Sequence, residues 1–251
     1  MENAHEYIVG KSGQGKTTLL LNKIFDELQN RDRAIFFIDP HGEAAVQLLD
    51  ALPRSAFKRT CYIDCSDTDY AVGFNPLLDP RHCLSGLKSI WAESWGPRME
   101  WLLLNGLLTL HANPGSTFKD LPKIYYDRAF RERLVANNTV DLQRFWRREY
   151  PKKYEKSKDN PDSPIVNKIG QINASAISRI LCQRSPKLDF AEALRERYIV
   201  VVNLHTPSIG NEAAAILGAL FTSTLRAVLL RAPSPSTLYA DEFQKYGTSM
   251  Y

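Results

Sequence analysis

Short apolar runs alternate with amphipathic segments at the start of the chain, which predicts strands and helices in turn. Residues 7–9 (Tyr-Ile-Val) read as a strand, residues 10–15 as a glycine loop and residues 16–29 as a helix. In that helix Leu20, Ile24 and Leu28 stand four apart and share one face. Residues 34–39, AIFFID, are apolar almost throughout, as suits a strand buried on both sides. The turn Asp39-Pro40-His41-Gly42 ends it, residues 43–52 predict a helix, and residues 60–63 a third, short strand.

From about Arg81 the period becomes helical, over residues 98–112, 125–136 and 140–154. The polar stretch 155–164, with Pro161 and Pro164, reads as a linker. Residues 165–181 return to helical spacing. Residues 198–204 (YIVVVNL) form the clearest strand signal, 211–230 a long helix rich in small residues, and 237–240 a last strand ending at Asp241. Strands at both ends with helices between predict an α/β core, a mostly parallel sheet flanked by helices, interrupted by a helical insertion. The expected organisation is a core in two parts, 1–80 and 165–251, around an insertion over 81–164.

Composition adds bounds. The 251 residues are 44% hydrophobic and 24% charged, ordinary values for a globular protein in water. A formal charge of +4 permits a polyanionic partner without requiring one. The most apolar stretch, residues 213–230, is broken by Thr222, Ser223, Thr224 and Arg226, and the N-terminus lacks a signal-peptide pattern. The expectation is a soluble cytoplasmic chain without a membrane segment. Cys61, Cys65, Cys83 and Cys182 lack zinc-site spacing and read as free thiols.

Gly10-Lys11-Ser12-Gly13-Gln14-Gly15-Lys16-Thr17 matches the phosphate-binding loop G-x-x-x-x-G-K-[ST] in full. Its chemistry needs a place between strand and helix. Glycines let successive backbone N–H groups face a polyphosphate at the positive end of the helix dipole. Lys16 supplies a charge to the same phosphates, and the Thr17 hydroxyl can ligate Mg²⁺. The expected nucleotide contacts are Gly10, Lys11, Ser12, Gly13, Gln14, Gly15, Lys16, Thr17 and Thr18. An ordinary glycine turn is the competing reading.

Leu238-Tyr239-Ala240-Asp241-Glu242 has the form of the acidic motif that accompanies such a loop. Asp241 would join Thr17 in holding Mg²⁺, and Glu242 would take a proton from an attacking water, so Lys16 and Glu242 are the expected catalytic residues. Acidic pairs are also common on surfaces, so this pair gains its weight from the loop and the preceding strand.

With these motifs in view, the chain resembles the HerA/FtsK superfamily of P-loop ATPases, most closely the conjugative coupling-protein branch of type IV secretion ATPases. The similar segments include HEYIVGKSGQGKTTLL, FFIDPHGEAAVQLL, FNPLLDP, RMEWLLLNGLLTL, FWRREY, SPIVNKIGQI, YIVVVNLHTPSIGNEAAAILGALF and LYADEFQKYGT. The resemblance implies a RecA-like P-loop core that binds ATP and Mg²⁺. It also implies assembly into a homo-oligomeric, usually hexameric, ring that moves DNA or DNA–protein substrates. Type IV secretion components would be partners, with a location at the inner membrane through them.

Relatives continue past the acidic pair with a polar sensor strand lying between the loop strand and the acidic-motif strand. The expectation is therefore a truncated chain that lacks the C-terminal part of the core and hydrolyses ATP poorly alone.

Further features stay open on the sequence. The stretch from Phe145 to Tyr154, with Arg144, Lys156 and Lys158 beside it, mixes cations and aromatics as a nucleic-acid surface does. Trp146 and Tyr150, four apart, equally suit an inward face. Arg179 and Arg184 are candidates for an arginine that reaches a neighbour's phosphate, and His41 and His205 stand at strand tips. The competing functions are a non-catalytic nucleotide-binding subunit and a P-loop kinase.

Overall fold

The computed structural model describes residues 5–11, 13–29, 31–155 and 162–245. Ser12, Lys156, Lys158, Pro161 and residues 246–248 of the acidic segment lie outside the described residues.

The elements follow one another as α1 (Lys16–Leu28), β1 (Ala34–Asp39), α2 (Glu43–Asp50), β2 (Thr60–Asp64), α3 (Pro80–Ile90) and α4 (Pro97–His111). Then come α5 (Leu121–Tyr126), α6 (Arg128–Val135), α7 (Val140–Arg144), α8 (Ser163–Ala174), α9 (Ser178–Leu181) and α10 (Phe190–Arg195). The chain closes with β3 (Ile199–Asn203), α11 (Thr206–Ile209), α12 (Asn211–Arg231) and β4 (Ser236–Ala240). The strands form one wholly parallel sheet in the order β2-β3-β1-β4.

Side chains alternate across this sheet. Ile35, Phe37, Ile199 and Val201 face α1 and α2, where Leu21, Ile24, Leu28, Ala45 and Leu48 complete a small core. Ala34, Phe36, Ile38, Val200 and Val202 face the other way, into a larger core shared with α3, α4, α10 and α12. Phe36, Phe74, Phe190 and Phe221 interlock there with ring centroids 4.9–6.5 Å apart. The helical region that begins in α3 thus packs on one sheet face through a continuous apolar interior.

Helix α12 is long and apolar enough to cross a membrane, yet 72% of its apolar window is buried in the protein. Packing accounts for its composition. Gly86 of α3 lies so close that an added Cβ would stand 3.0 Å from Ser223 Oγ and 3.1 Å from the Ala219 carbonyl. Thr222, Ser223 and Thr224, which interrupt the apolar run, are buried and donate to carbonyls of Gly218, Ala219 and Leu220 in their own helix. Buried hydroxyls satisfied in this way carry little desolvation cost.

Several expected elements differ: the helix expected over 125–136 divides between α5 and α6, and that over 165–181 between α8 and α9. Residues 7–9 are not a strand: they are unpaired, and Tyr7 and Val9 are 76% and 77% exposed. A three-residue run holds as a strand only against a neighbour, and among the described residues nothing pairs with the outer edge of β4. The helix expected over 140–154 keeps its α form only to Arg144. Wide π-type turns follow over Phe145–Glu149 and Pro151–Glu155. Pro151 has no N–H to give, and the wider turn absorbs that break while three large rings reach the core.

Candidate functional site

Parallel strands offer their carboxyl ends as a common rim, and ligands of α/β sheets bind along such rims. Here Asp64, Asn203 and Asp39 stand in register at the ends of β2, β3 and β1, and Asp241 follows Ala240, the partner of Ile38.

The glycine loop approaches this rim from α1. Gly13 and Gly15 adopt φ of 79° and 77°, a left-handed backbone that favours glycine, and open space surrounds the position of a Cβ at each. Gly15 stands at the N-terminus of α1, so the loop runs directly into the positive end of the helix. Lys16 Nζ donates to the carbonyls of Gly10 (2.8 Å) and Lys11 (2.9 Å). Gln14 Oε1 accepts from Lys11 N at 3.1 Å. Gly10, Lys11, Gln14 and Thr18 are exposed, and Lys16 and Thr17 half-buried.

Across 224 residues of sequence, the Thr17 hydroxyl donates to Asp241 Oδ2 at 2.9 Å. The structure thereby brings together the two residues expected to share a metal ion. Hydroxyl and carboxylate form an all-oxygen donor pair beside the N-terminus of α1, a set that fits Mg²⁺.

A half-buried polar tie lies behind this contact. Glu27, on the side of α1 facing the sheet, accepts from Thr237 Oγ1 at 2.6 Å and from Tyr239 OH at 2.7 Å, and pairs with Arg33 at 3.0 Å. Burial, with Glu27 beside it, pushes the Tyr239 phenol above its usual range, so it stays a donor. Helix α1 is thus clamped to β4, the strand that carries Asp241.

Glu242 follows with φ of 47°. Its Oε2 lies 2.9 Å from His41 Nε2 and also meets Lys245 Nζ. Partial burial pushes the carboxyl up, but the bonds from Lys245 and His41 outweigh that and hold it below the ordinary carboxylate range. Lys245 carried no signal in the sequence beyond its nearness to the acidic pair.

Asp39, at the tip of β1, serves the turn that the sequence predicts there. It is buried, with Oδ1 accepting from His41 N and Oδ2 from Ala45 N, both at 2.9 Å. At Gly42, φ is 92° and a Cβ would stand 2.5 Å from Asn203 Oδ1, so the backbone requires glycine there. His205 precedes the short α11 at φ 43° without a side-chain bond to it, and Asn203 Oδ1 accepts from its backbone N–H at 2.9 Å.

The aromatic rings of the basic stretch point inward. Phe145, Trp146 and Tyr150 are buried, Trp146 Nε1 donates to Thr109 Oγ1 at 2.7 Å, and Tyr150 OH to Asp162 Oδ2 at 3.1 Å. These rings offer no face for base stacking. Arg147 pairs with Glu132, while Arg148, Lys152 and Lys153 are exposed. Arg179 donates to the Thr68 carbonyl, and Arg184 is exposed. The four cysteines are free thiols, with Cys65 and Cys83 buried. No family model matches the chain, and no curated protein matches it either.

Proposed function

We propose that the chain is a RecA-like P-loop domain that binds ATP with Mg²⁺ and hydrolyses it, as the motor of a DNA-translocating or conjugative DNA-transfer machine. The observation that carries the nucleotide part is the 2.9 Å bond between Thr17 and Asp241, which joins the two motifs at one point. Mg²⁺ held by Thr17 and Asp241 would offset the negative charge that develops during phosphoryl transfer.

The roles of the chain's own groups follow from their chemistry. The amides of Gly13, Gly15, Lys16 and Thr17 face the phosphates, and the Lys16 amine exchanges two loop carbonyls for phosphate oxygens. Thr17 and Asp241 would hold the metal, and Glu242 would accept a proton from water. The DNA-moving part, the hexameric ring and the secretion partners rest on the family resemblance alone.

A second reading, nucleotide binding without hydrolysis, draws support from Glu242, whose carboxylate is engaged by His41 and Lys245. Phosphate release measured with wild type and with Glu242→Gln separates the two. Hydrolysis that is lost in the variant, with ATP binding retained, supports the motor reading. Binding without release in either protein, with DNA present or absent, supports the second.

A further inference from the structure

The four strands are parallel, so their amino ends lie together, opposite the rim that carries the candidate site. Cations gather at that end. Arg31 precedes β1, the 3₁₀ segment Arg54–Arg59 leads into β2, and Arg197 precedes β3. The register brings these approaches together, since Ile199 pairs with both Ile35 and Thr60. Arg59 Nη1 donates to the Arg197 carbonyl at 2.9 Å, and Arg59 Nε is buried with no partner among the described residues. Burial, with the charge of Arg31 nearby, pulls the Arg59 guanidinium below the ordinary arginine value.

Ion pairing is uneven on this face. Arg197 meets Asp32 at 3.6 Å, and Arg195 meets Glu196 at 3.1 Å. Arg31, Arg54, Lys58 and Arg59 have no ion-pair partner among the described residues. Between Arg54 and Lys58 stands Phe57, a ring left 57% exposed. Residues three apart eclipse in a 3₁₀ helix, so Arg54 and Phe57 share one side of the segment, with Lys58 and Arg59 directly after them.

We propose that this end of the domain docks on an anionic phospholipid bilayer, with Phe57 entering the headgroup layer and Arg31, Arg54, Lys58 and Arg59 meeting lipid phosphates. Clustered cations gain from the negative potential of such a surface, and an aromatic ring among them adds apolar burial at the interface. A nucleic-acid strand is the other polyanion to weigh. Sites for single strands line up several stacking rings along a basic groove, whereas a single ring on one short helical segment suits a planar interface. Docking here leaves the carboxyl rim, with Thr17 and Asp241, facing away from the membrane, so bilayer and nucleotide do not compete.

The test is co-sedimentation of the full chain with vesicles of phosphatidylcholine alone, or of phosphatidylcholine with phosphatidylglycerol, at low and high salt. Binding is expected only to the vesicles that contain phosphatidylglycerol, and salt should weaken it. The variants replace exposed side chains, which spares the fold. Arg54→Gln with Lys58→Gln should lose affinity by roughly fivefold for each cation removed. Phe57→Ser should weaken binding several-fold by a factor that salt leaves unchanged, because its contribution is apolar. Arg148→Gln with Lys152→Gln, the same charge change in the insertion, should bind vesicles as wild type does. Absence of binding to the anionic vesicles overturns the proposal, and so does an equal loss in the two double variants. A parallel titration with single-stranded DNA separates the polyanions. DNA affinity that falls in Phe57→Ser while vesicle binding holds assigns this face to nucleic acid and overturns the proposal as well.

Discussion

Thr17 and Asp241 lie at opposite ends of the described chain, yet hydroxyl and carboxylate are joined by a 2.9 Å hydrogen bond. Nothing local produces that contact. It depends on α1 lying against β4, and therefore on the polar tie at Glu27, where Thr237, Tyr239 and Arg33 all converge.

Glu27→Ala leaves a half-buried phenol and a guanidinium without their acceptor. We expect a loss of roughly 2 kcal/mol in unfolding free energy, read by urea titration. ATP affinity should fall as well, although Glu27 lies outside the loop. Unchanged affinity in a folded variant would show that α1 needs no clamp.

Gly42→Ala tests the turn after β1. A methyl group would enter the space of Asn203 in a backbone region that L side chains avoid. The expected cost is about 1–3 kcal/mol of stability, measured by thermal or chemical unfolding. Gly96→Ala, where a Cβ meets open space and φ is −135°, should be nearly neutral and serves as the comparison.

Much of the fold could be read from the chain because its signals were local. The apolar run of β1 and the strand pattern of β3 need no partner to be recognised, and α1 and α12 start within a residue or two of their expected positions. Helix α3 carries its own signals, Asp79-Pro80 as a cap followed by proline at the first turn and Cys83, Leu84 and Leu87 on one buried face, although the expected helices of this region begin only at 98. The break between α5 and α6 is set by Asp127, whose side chain accepts from Phe130 N inside what reads as one helix. Residues 7–9 failed for a different reason, since a strand is a property of two segments and the sequence displays one.

The site divides along the same line. Glycine spacing and the acidic pair were legible from residue type. The Glu242–His41–Lys245 cluster was not, because it depends on β1 and β4 being neighbours. The turn Asp39-Pro40-His41-Gly42 was legible too, since such carboxylates bond to backbone N–H groups a few residues on, as Asp39 does to His41 and Ala45.

Asp79 gives the acid limb of stability a specific origin. Burial raises its carboxyl, but bonds from His82 and the charge of Arg231 outweigh this and bring it below the ordinary value. A lowered folded value means that its contribution is full above the unfolded carboxylate value near pH 4 (about 3.9). That contribution is lost as pH falls through the folded value. Asp79→Asn keeps a cap acceptor for Arg81 and His82 but removes the charge. Unfolding midpoints measured from pH 6 down should fall less steeply for Asp79→Asn than for wild type.

The exposed cations of the 140–155 region test the DNA part of the proposal without the buried rings. If Arg148, Lys152 and Lys153 touch phosphate, joint replacement by Gln should weaken DNA binding. It should also reduce the slope of log K against log salt by roughly 0.7–0.9 per contact. An unchanged slope assigns these residues to solvent.

The central claim is that loop and acidic motif form one metal–triphosphate site, and calorimetric titration with ATP, with and without Mg²⁺, tests it most directly. We expect Lys16→Ala to lose affinity by at least about tenfold, roughly 1.4 kcal/mol, under both conditions. Thr17→Ala and Asp241→Asn should lose affinity mainly when Mg²⁺ is present. Equal ATP affinity in all four proteins, indifferent to Mg²⁺, would contradict the account.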